Sequence, residues 1–195
     1  FAFAKKYALP IKQVIAPYYT DTDGEDAVRK DKPTVKRNTA CVLIKHHKED
    51  KYLCLDWEKF GWHSGIIGGI EEGEDAVGAA RREIEEETGY TDAKFIKYLG
   101  GEMHNHFYAA HKNENRYAIG YGLLFELASD VKIDVDPEHT KNHKAVWIEA
   151  GKMSEWLNLS VFRRMWEVLT TGQDCFVGEG KIVNSGKLDG MESEE

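Results

Sequence analysis

The sequence predicts an α/β fold. A mixed β-sheet lies between helices, an α/β/α sandwich, with short strand-like stubs at both ends of the chain. Three observations predict it. Strand-like and helix-like stretches follow the order strands, helix, strands, helix, which suits layers sharing one sheet. Both helical stretches, 75–88 and 154–172, carry apolar residues at helical spacing. At 195 residues, 42% hydrophobic and 11% aromatic, the chain can bury a core and is not disordered overall.

The elements follow in chain order. Residues 1–20 form a first stub, an extended run broken by Pro10 and Pro17. Residues 21–35, polar and charged, read as a linker or exposed loop. The central domain spans 36–172. "TACVLI" and "KYLCLDW" are β-type runs joined by "KHHKED", a hairpin, and the Gly-rich "FGWHSGIIGG" reads as a loop or bulge. The helix at 75–88 ends at Gly89, placed for a left-handed cap. "AKFIKYL", "EMHNHFYAAH" and "RYAIGYGLLFEL" read as three strands, with "KNEN" as a turn, and "KAVWIEA" as one more. Phe162, Met165, Trp166 and Leu169 mark the inner face of a second helix closed by Gly172. Residues 173–195 return to short strand-like pieces, the second stub.

Composition excludes several classes. Lys and Arg number 26 against 34 Asp and Glu, a net charge of −8, which argues against independent DNA or RNA binding and against a polybasic membrane surface. No apolar stretch approaches the roughly 18–20 residues of a membrane span. Cys41, Cys54 and Cys175 form no CxxC pair, which fits a reducing cytoplasm. The opening "FAFAKKYALP" lacks the apolar region of a signal peptide, and a start at Phe1 reads as a piece of something longer.

The informative stretch is "GGIEEGEDAVGAARREIEEETGY", residues 68–90. At 100° per residue, Glu83, Glu86 and Glu87 share a stripe beside the apolar stripe of Ala76, Val77, Ala80 and Ile84. Like charges at these spacings repel, and they crowd the helix end where the macrodipole is already negative. Arg82 with Glu86 and Arg81 with Glu85 offset part of this. A divalent cation resolves the rest. Three carboxylates, with no His or Cys placed beside them, suit Mg²⁺ or Mn²⁺ rather than Zn²⁺.

These residues resemble the signature of Nudix hydrolases, G-x5-E-x7-R-E-U-x-E-E-x-G-U, with U a bulky apolar residue. The positions are Gly68, Glu74, Arg82, Glu83, Ile84, Glu86, Glu87, Gly89 and Tyr90, and Tyr90 departs mildly from an aliphatic residue. The resemblance implies a Nudix-type sandwich in which Glu83, Glu86 and Glu87 hold Mg²⁺ with the Gly68 carbonyl, while Glu74 and Arg82 pair structurally. The implied reaction is attack of water on the pyrophosphate linkage of a nucleoside diphosphate derivative. The general base is Glu83 or a group of "DVDPEHTKNHK", where Glu138 leads and His139 and His143 follow. For the base of the nucleotide, Trp57, Phe60 and Trp62 line a pocket or belong to the core. Phe107 and Tyr108, about where diadenosine polyphosphate enzymes carry a stacking Tyr, stack or are core. His104 and His106 are a metal pair or the polar side of a strand.

The two ends resemble another family. "FAFAKKYALPIKQVIAP" looks like a stretch of the editing domain of leucyl-tRNA synthetases. Gly178, Gly180, Asn184, Ser185, Gly186, Asp189 and Gly190 look like a later element of that domain. The combined expectation is a Nudix domain inserted into such an editing domain, with tRNA(Leu) as a partner through the parent enzyme. The ligase motifs are not in this chain. The alternative expectation is a catalytically silent Nudix-fold module that positions the editing domain or binds nucleotide or tRNA.

Overall fold

The computed structural model describes residues 6–7 and 16–172. Most of the N-terminal stub and the whole C-terminal stub, Cys175 included, lie outside the described residues. The strands are β1 (Tyr18–Thr20), β2 (Thr34–Lys45), β3 (Lys51–Trp57), β4 (Trp62–Ser64), β5 (Ile66–Gly69), β6 (Lys94–Ala109), β7 (Glu114–Glu126) and β8 (Lys144–Glu149). The helices are α1 (Ala76–Thr88), α2 (Pro137–Thr140), α3 (Met153–Trp156) and α4 (Ser160–Thr171).

β2 is the spine of a mixed sheet ordered β1-β6-β7-β2-β3-β4, with β5 beside β2 and β8 beside β3. It runs parallel to β7 from Thr34↔Asn115 to Lys45↔Glu126. Its other edge pairs antiparallel first with β5, at Thr39↔Gly69 to Val42↔Ile66, and then with β3 in the expected hairpin. The unbroken apolar run of β2 follows from burial on both faces. Ala40, Val42 and Ile44 pack in the α1 layer; Cys41 and Leu43 pack in the α4 layer.

α1 begins at Asp75, whose carboxylate accepts from the Gly78 N–H at 2.6 Å, and ends at Gly89, which takes φ 78° and donates to the Glu85 carbonyl. Ala76, Ala79 and Ala80 on its inner face are small, so the helix axis lies close to the sheet. On the other face, Phe162, Met165 and Trp166 of α4 fill the second layer.

Four expectations need correction. The Gly-rich "FGWHSGIIGG" forms β4 and β5 instead of a loop, with Gly65 at the corner where a Cβ would overlap the Val42 carbonyl and the Phe162 ring. The two strands expected over 93–111 are one, β6, whose irregular pairing between Tyr98 and Glu102 spans Gly100 at φ 78°. The single helix expected over 154–172 is broken into α3 and α4, because the Asn158 amide donates to the Gly61 carbonyl at 2.7 Å and accepts from the His63 N–H at 2.8 Å. The segment at 21–35, read as a linker or exposed loop, is an exposed loop fastened to the sheet and not a free linker. The buried Asn115 amide accepts from the Arg29 N–H and donates to the Arg29 and Lys32 carbonyls, and the Tyr108 N–H donates to the Asp26 carbonyl.

Phe162 is fully buried between α4 and the sheet. Phe162→Ala is expected to lower unfolding stability by about 3–5 kcal/mol, read as the shift of a urea transition at unchanged slope.

Candidate functional site

The site is assembled where β5 meets α1. A Cβ at Gly68 would overlap the Glu83 carboxylate, so only glycine lets the β5 backbone reach that side chain. Pairing of Gly68 with Ala40 and Gly69 with Thr39 holds the strand against β2 while the alanine face of α1 brings the helix down. The Gly68 backbone and the Glu83 carboxylate are thereby brought together.

Arg82 is the hub. Its guanidinium donates to both Glu74 oxygens at 3.2 and 3.1 Å, to the Gly69 carbonyl at 2.8 Å, to Glu83 at 2.7 Å and to Glu86 at 3.2 Å. The Glu74 pairing matches the role the resemblance implies. The contacts with Glu83 and Glu86 amend the electrostatic expectation, since one cation of the chain already offsets two of the three acids. The bond to Arg82 holds the Glu74 carboxyl below the usual carboxylate range, and Glu74 in turn raises the Arg82 pKa. Arg81 does not pair with Glu85; it donates to the Ala93 carbonyl at 2.8 Å and lies over the Phe125 ring.

Glu87 is different. It is 9% exposed, and its Oε2 is buried with no hydrogen-bond partner among the described residues. Burial, and then the charges of Glu83 and Glu86, push its carboxyl up to about 9. Burial also raises Glu83, against the opposing pull of Arg82. A bare carboxylate in such a place costs several kcal/mol unless a cation meets it. The donor set fits a hard divalent cation: the orphaned Glu87 oxygen, the neighbouring carboxylates Glu83 and Glu86, and a glycine backbone pressed against Glu83. Arg37 of β2, beside Gly69, is a second cation acting on Glu83. Sequence reasoning missed it, because only the β2–β5 pairing brings residue 37 to this corner.

The remaining candidates fall into two groups. His143 is brought to the site: it is buried, packs its ring 4.6 Å from Trp57, and approaches the Glu87 main chain without a well-aligned hydrogen bond. Burial lowers its pKa. Trp62 stacks on Phe60 at 4.9 Å and stands 6.5 Å from Trp57. Glu138 is not brought in by any hydrogen bond or ion pair among the described residues. It is solvent-facing on α2 and bonded to Lys141 at 2.6 Å, which holds its carboxyl low. Tyr108 is also committed elsewhere, being buried, covered by Arg29 and bonded to Asn113. Phe107 is half-buried on β6.

Histidines gather in two further places. His104 and His106 share a strand face, but their Nδ1 atoms are engaged by the hydroxyls of Tyr117 and Tyr18. His46, His47 and Asp130 lie close enough to resemble a metal triad. The tautomer decides against it. His46 Nδ1 accepts from the Lys48 and Glu49 N–H groups, so its Nε2 carries the proton and donates to Asp130 at 3.0 Å. This cluster braces the β2–β3 turn.

Comparison with known proteins adds three findings. The family profile described as the NUDIX domain matches residues 34–168. The NAD-capped RNA hydrolase NudC of Photobacterium profundum is 24% identical over 120 residues, 60% of this chain and 40% of that protein. The chain therefore matches less than half the length of that relative. Among solved structures, a NUDIX-family hydrolase from Clostridium perfringens superposes with a TM-score of 0.51 at 16% identity, covering 70% of this chain and 98% of that one. An Ap4A hydrolase from C. elegans, in a binary complex, gives 0.50 at 18% identity over 71% and 96%.

Because the folded pKa of Glu87 lies above the ordinary 4.5, its contribution to stability is greatest below about 4.5 and is lost as pH rises toward 9. Without divalent metal, Glu87→Gln is therefore expected to melt higher than the native protein. The gap should be small near pH 5 and widen toward pH 9 in thermal melts with EDTA. A gap independent of pH would show that Glu87 is not the buried charge.

Proposed function

The chain belongs to the NUDIX domain family, whose enzymes generally use divalent metal ions, and on that premise we propose that it hydrolyses the pyrophosphate linkage of a nucleoside diphosphate derivative. The observation that carries this reading is the buried, unpartnered Glu87 oxygen beside Glu83 and Glu86. The names of similar proteins support the substrate class: the curated relative acts on NAD-capped RNA, and a fold neighbour is an Ap4A hydrolase.

In this reading Glu83, Glu86 and Glu87 hold Mg²⁺ or Mn²⁺ with the Gly68 carbonyl. The ion, when bound, neutralises phosphate charge and acidifies water. Arg82 stays tied to Glu74 and Gly69, fixing the strand–helix junction. Glu83 takes the proton of the attacking water as the new P–O bond forms, and the second phosphate departs with the bridging oxygen. Glu138, exposed and held by Lys141, serves as base only after leaving that partner.

Two finer expectations are part of the proposal. The domain works in a reducing cytoplasm. No helix among the described residues is long and apolar enough to cross a membrane. The domain is also carried as an insertion in the editing domain of a leucyl-tRNA synthetase, through which it meets tRNA(Leu). This second point rests on the terminal motifs, and reading the sequence that flanks the chain tests it directly. The silent-module alternative draws on the Arg82 contacts, which leave only one acid of the three uncompensated.

A panel of nucleoside diphosphate derivatives assayed with Mg²⁺ decides between them. Turnover is expected, with loss in EDTA and a fall of about 10²–10⁴ in kcat for Glu83→Gln, and losses of similar order for Glu86→Gln and Glu87→Gln. Glu138→Gln is expected to stay within a few-fold of native. Absence of turnover across the panel favours the silent module, whereas turnover unchanged in the Glu86 and Glu87 variants overturns the carboxylate site as the seat of the reaction.

A further inference from the structure

The β3–β4 corner presents aromatic surface that the hydrolytic chemistry does not use. Phe60 N–H donates to the Trp57 carbonyl at 2.8 Å, and Gly61 at φ 64° turns the chain back into β4. That tight turn holds Phe60 out at 42% exposure, yet its ring is stacked on Trp62 with centroids 4.9 Å apart and planes 23° from parallel. The Lys59 ammonium lies over the Phe60 ring, 5.6 Å from its centroid, so the exposed rings stand beside a cation.

The pair is continuous with the acidic site. Trp62 lies directly across from Trp57 in the β3–β4 ladder, so both rings stand on the same face of the sheet as α1. Trp57 is fixed by its indole N–H, which donates to Ser64 at 3.1 Å, and its ring meets His143, which approaches the Glu87 main chain. A series of rings thus runs from solvent to His143, beside the Glu87 main chain. Beside it, between the turn and the loop before β8, lies a cavity of about 210 Å³ whose lining includes Glu58, Lys59, Asn142 and His143. That is below the roughly 300–1,000 Å³ of pockets for drug-sized ligands and is of the order of one ring system. It offers polar groups at its rim.

We infer that the stacked pair Phe60–Trp62 is the platform for the nucleobase of the substrate, placed so that the attached phosphates reach the Glu83–Glu86–Glu87 stripe. The inference rests on the proposed hydrolysis for its choice of ligand, a nucleotide. Its physical basis is sequence-tolerant stacking, since every base has a π-face and preformed rings lose little freedom on binding. Lys59 and Asn142, which line the adjacent cavity, are the polar groups nearest the pair; Glu58 is held by Lys144 at 2.5 Å.

The test is a metal-free NMR titration of the full chain with AMP, using ribose 5-phosphate as the base-free control. The expected result is an upfield shift of the Trp62 indole signal with AMP, and binding at least tenfold weaker for ribose 5-phosphate. Trp62→Leu and Phe60→Leu should weaken AMP binding by roughly tenfold or more, the range of one base–aromatic stack. Trp62→Phe, which keeps a ring, should stay within about threefold. Phe60 is exposed, so its variant keeps the test valid if Trp62→Leu fails to fold. Equal binding of AMP and ribose 5-phosphate, or leucine variants that bind AMP like the native chain, overturns the platform. AMP binding that depends on the ring, in a protein without turnover, refutes the hydrolysis reading and leaves the platform standing. Turnover whose KM ignores both leucine substitutions does the reverse.

Discussion

The structure turns on the close approach of β5 to α1 at Gly68 and Glu83. A strand backbone and a helix carboxylate occupy neighbouring space because one residue has no side chain and the facing turns of the helix are alanine. Arg82 locks this junction. It binds the carbonyl next to Gly68, the Glu74 carboxylate from the preceding loop, and two acids of its own helix. Loop, strand and helix are therefore one rigid body at the place where charge must be held.

That rigidity has an electrostatic consequence. Arg82 offsets Glu83 and Glu86 but leaves the deeper Glu87, next to Glu86, without a hydrogen-bond partner for its Oε2 among the described residues. A fold can keep such a group protonated at some cost, or keep it for a cation. The neighbouring oxygens make the second arrangement chemically coherent. His143, packed against the Trp57 ring, approaches the Glu87 main chain. The same burial that strains Glu87 would strengthen any ion–carboxylate attraction there. Phosphate chemistry and base stacking would share one continuous wall of the sheet.

Much of this was legible in the residues. The period of α1, its glycine cap and the clustering of three acids at the edge of an apolar stripe are local properties of about twenty residues. They survive into the fold because helix geometry is local. The runs of β2, β3 and β7 were legible too, since strands buried on both faces read as unbroken apolar sequence, and β8, half-exposed, was legible from its short Val-Trp-Ile run. β4 and β5 were not. Gly68 and Gly69 look like loop residues until pairing with β2 supplies the hydrogen bonds that low intrinsic propensity does not, while Gly61 and Gly65 remain the turn and the corner around β4.

What the sequence by itself determined was the chemistry: which carboxylates share a stripe, which arginine can reach them, and which layers must cover the sheet. Tertiary structure alone decided which of those groups stay free. Spacing offered Arg82 to Glu86 and the resemblance offered it to Glu74, and it reaches both. Glu138 looked like a base and faces solvent, held by Lys141. His143, Arg37 and the Trp57–Trp62 pair arrive from distant strands. The reason is physical. A repeat along a helix is set by bond geometry within a few residues, whereas burial, desolvation and charge pairing depend on neighbours that only the folded sheet brings into contact.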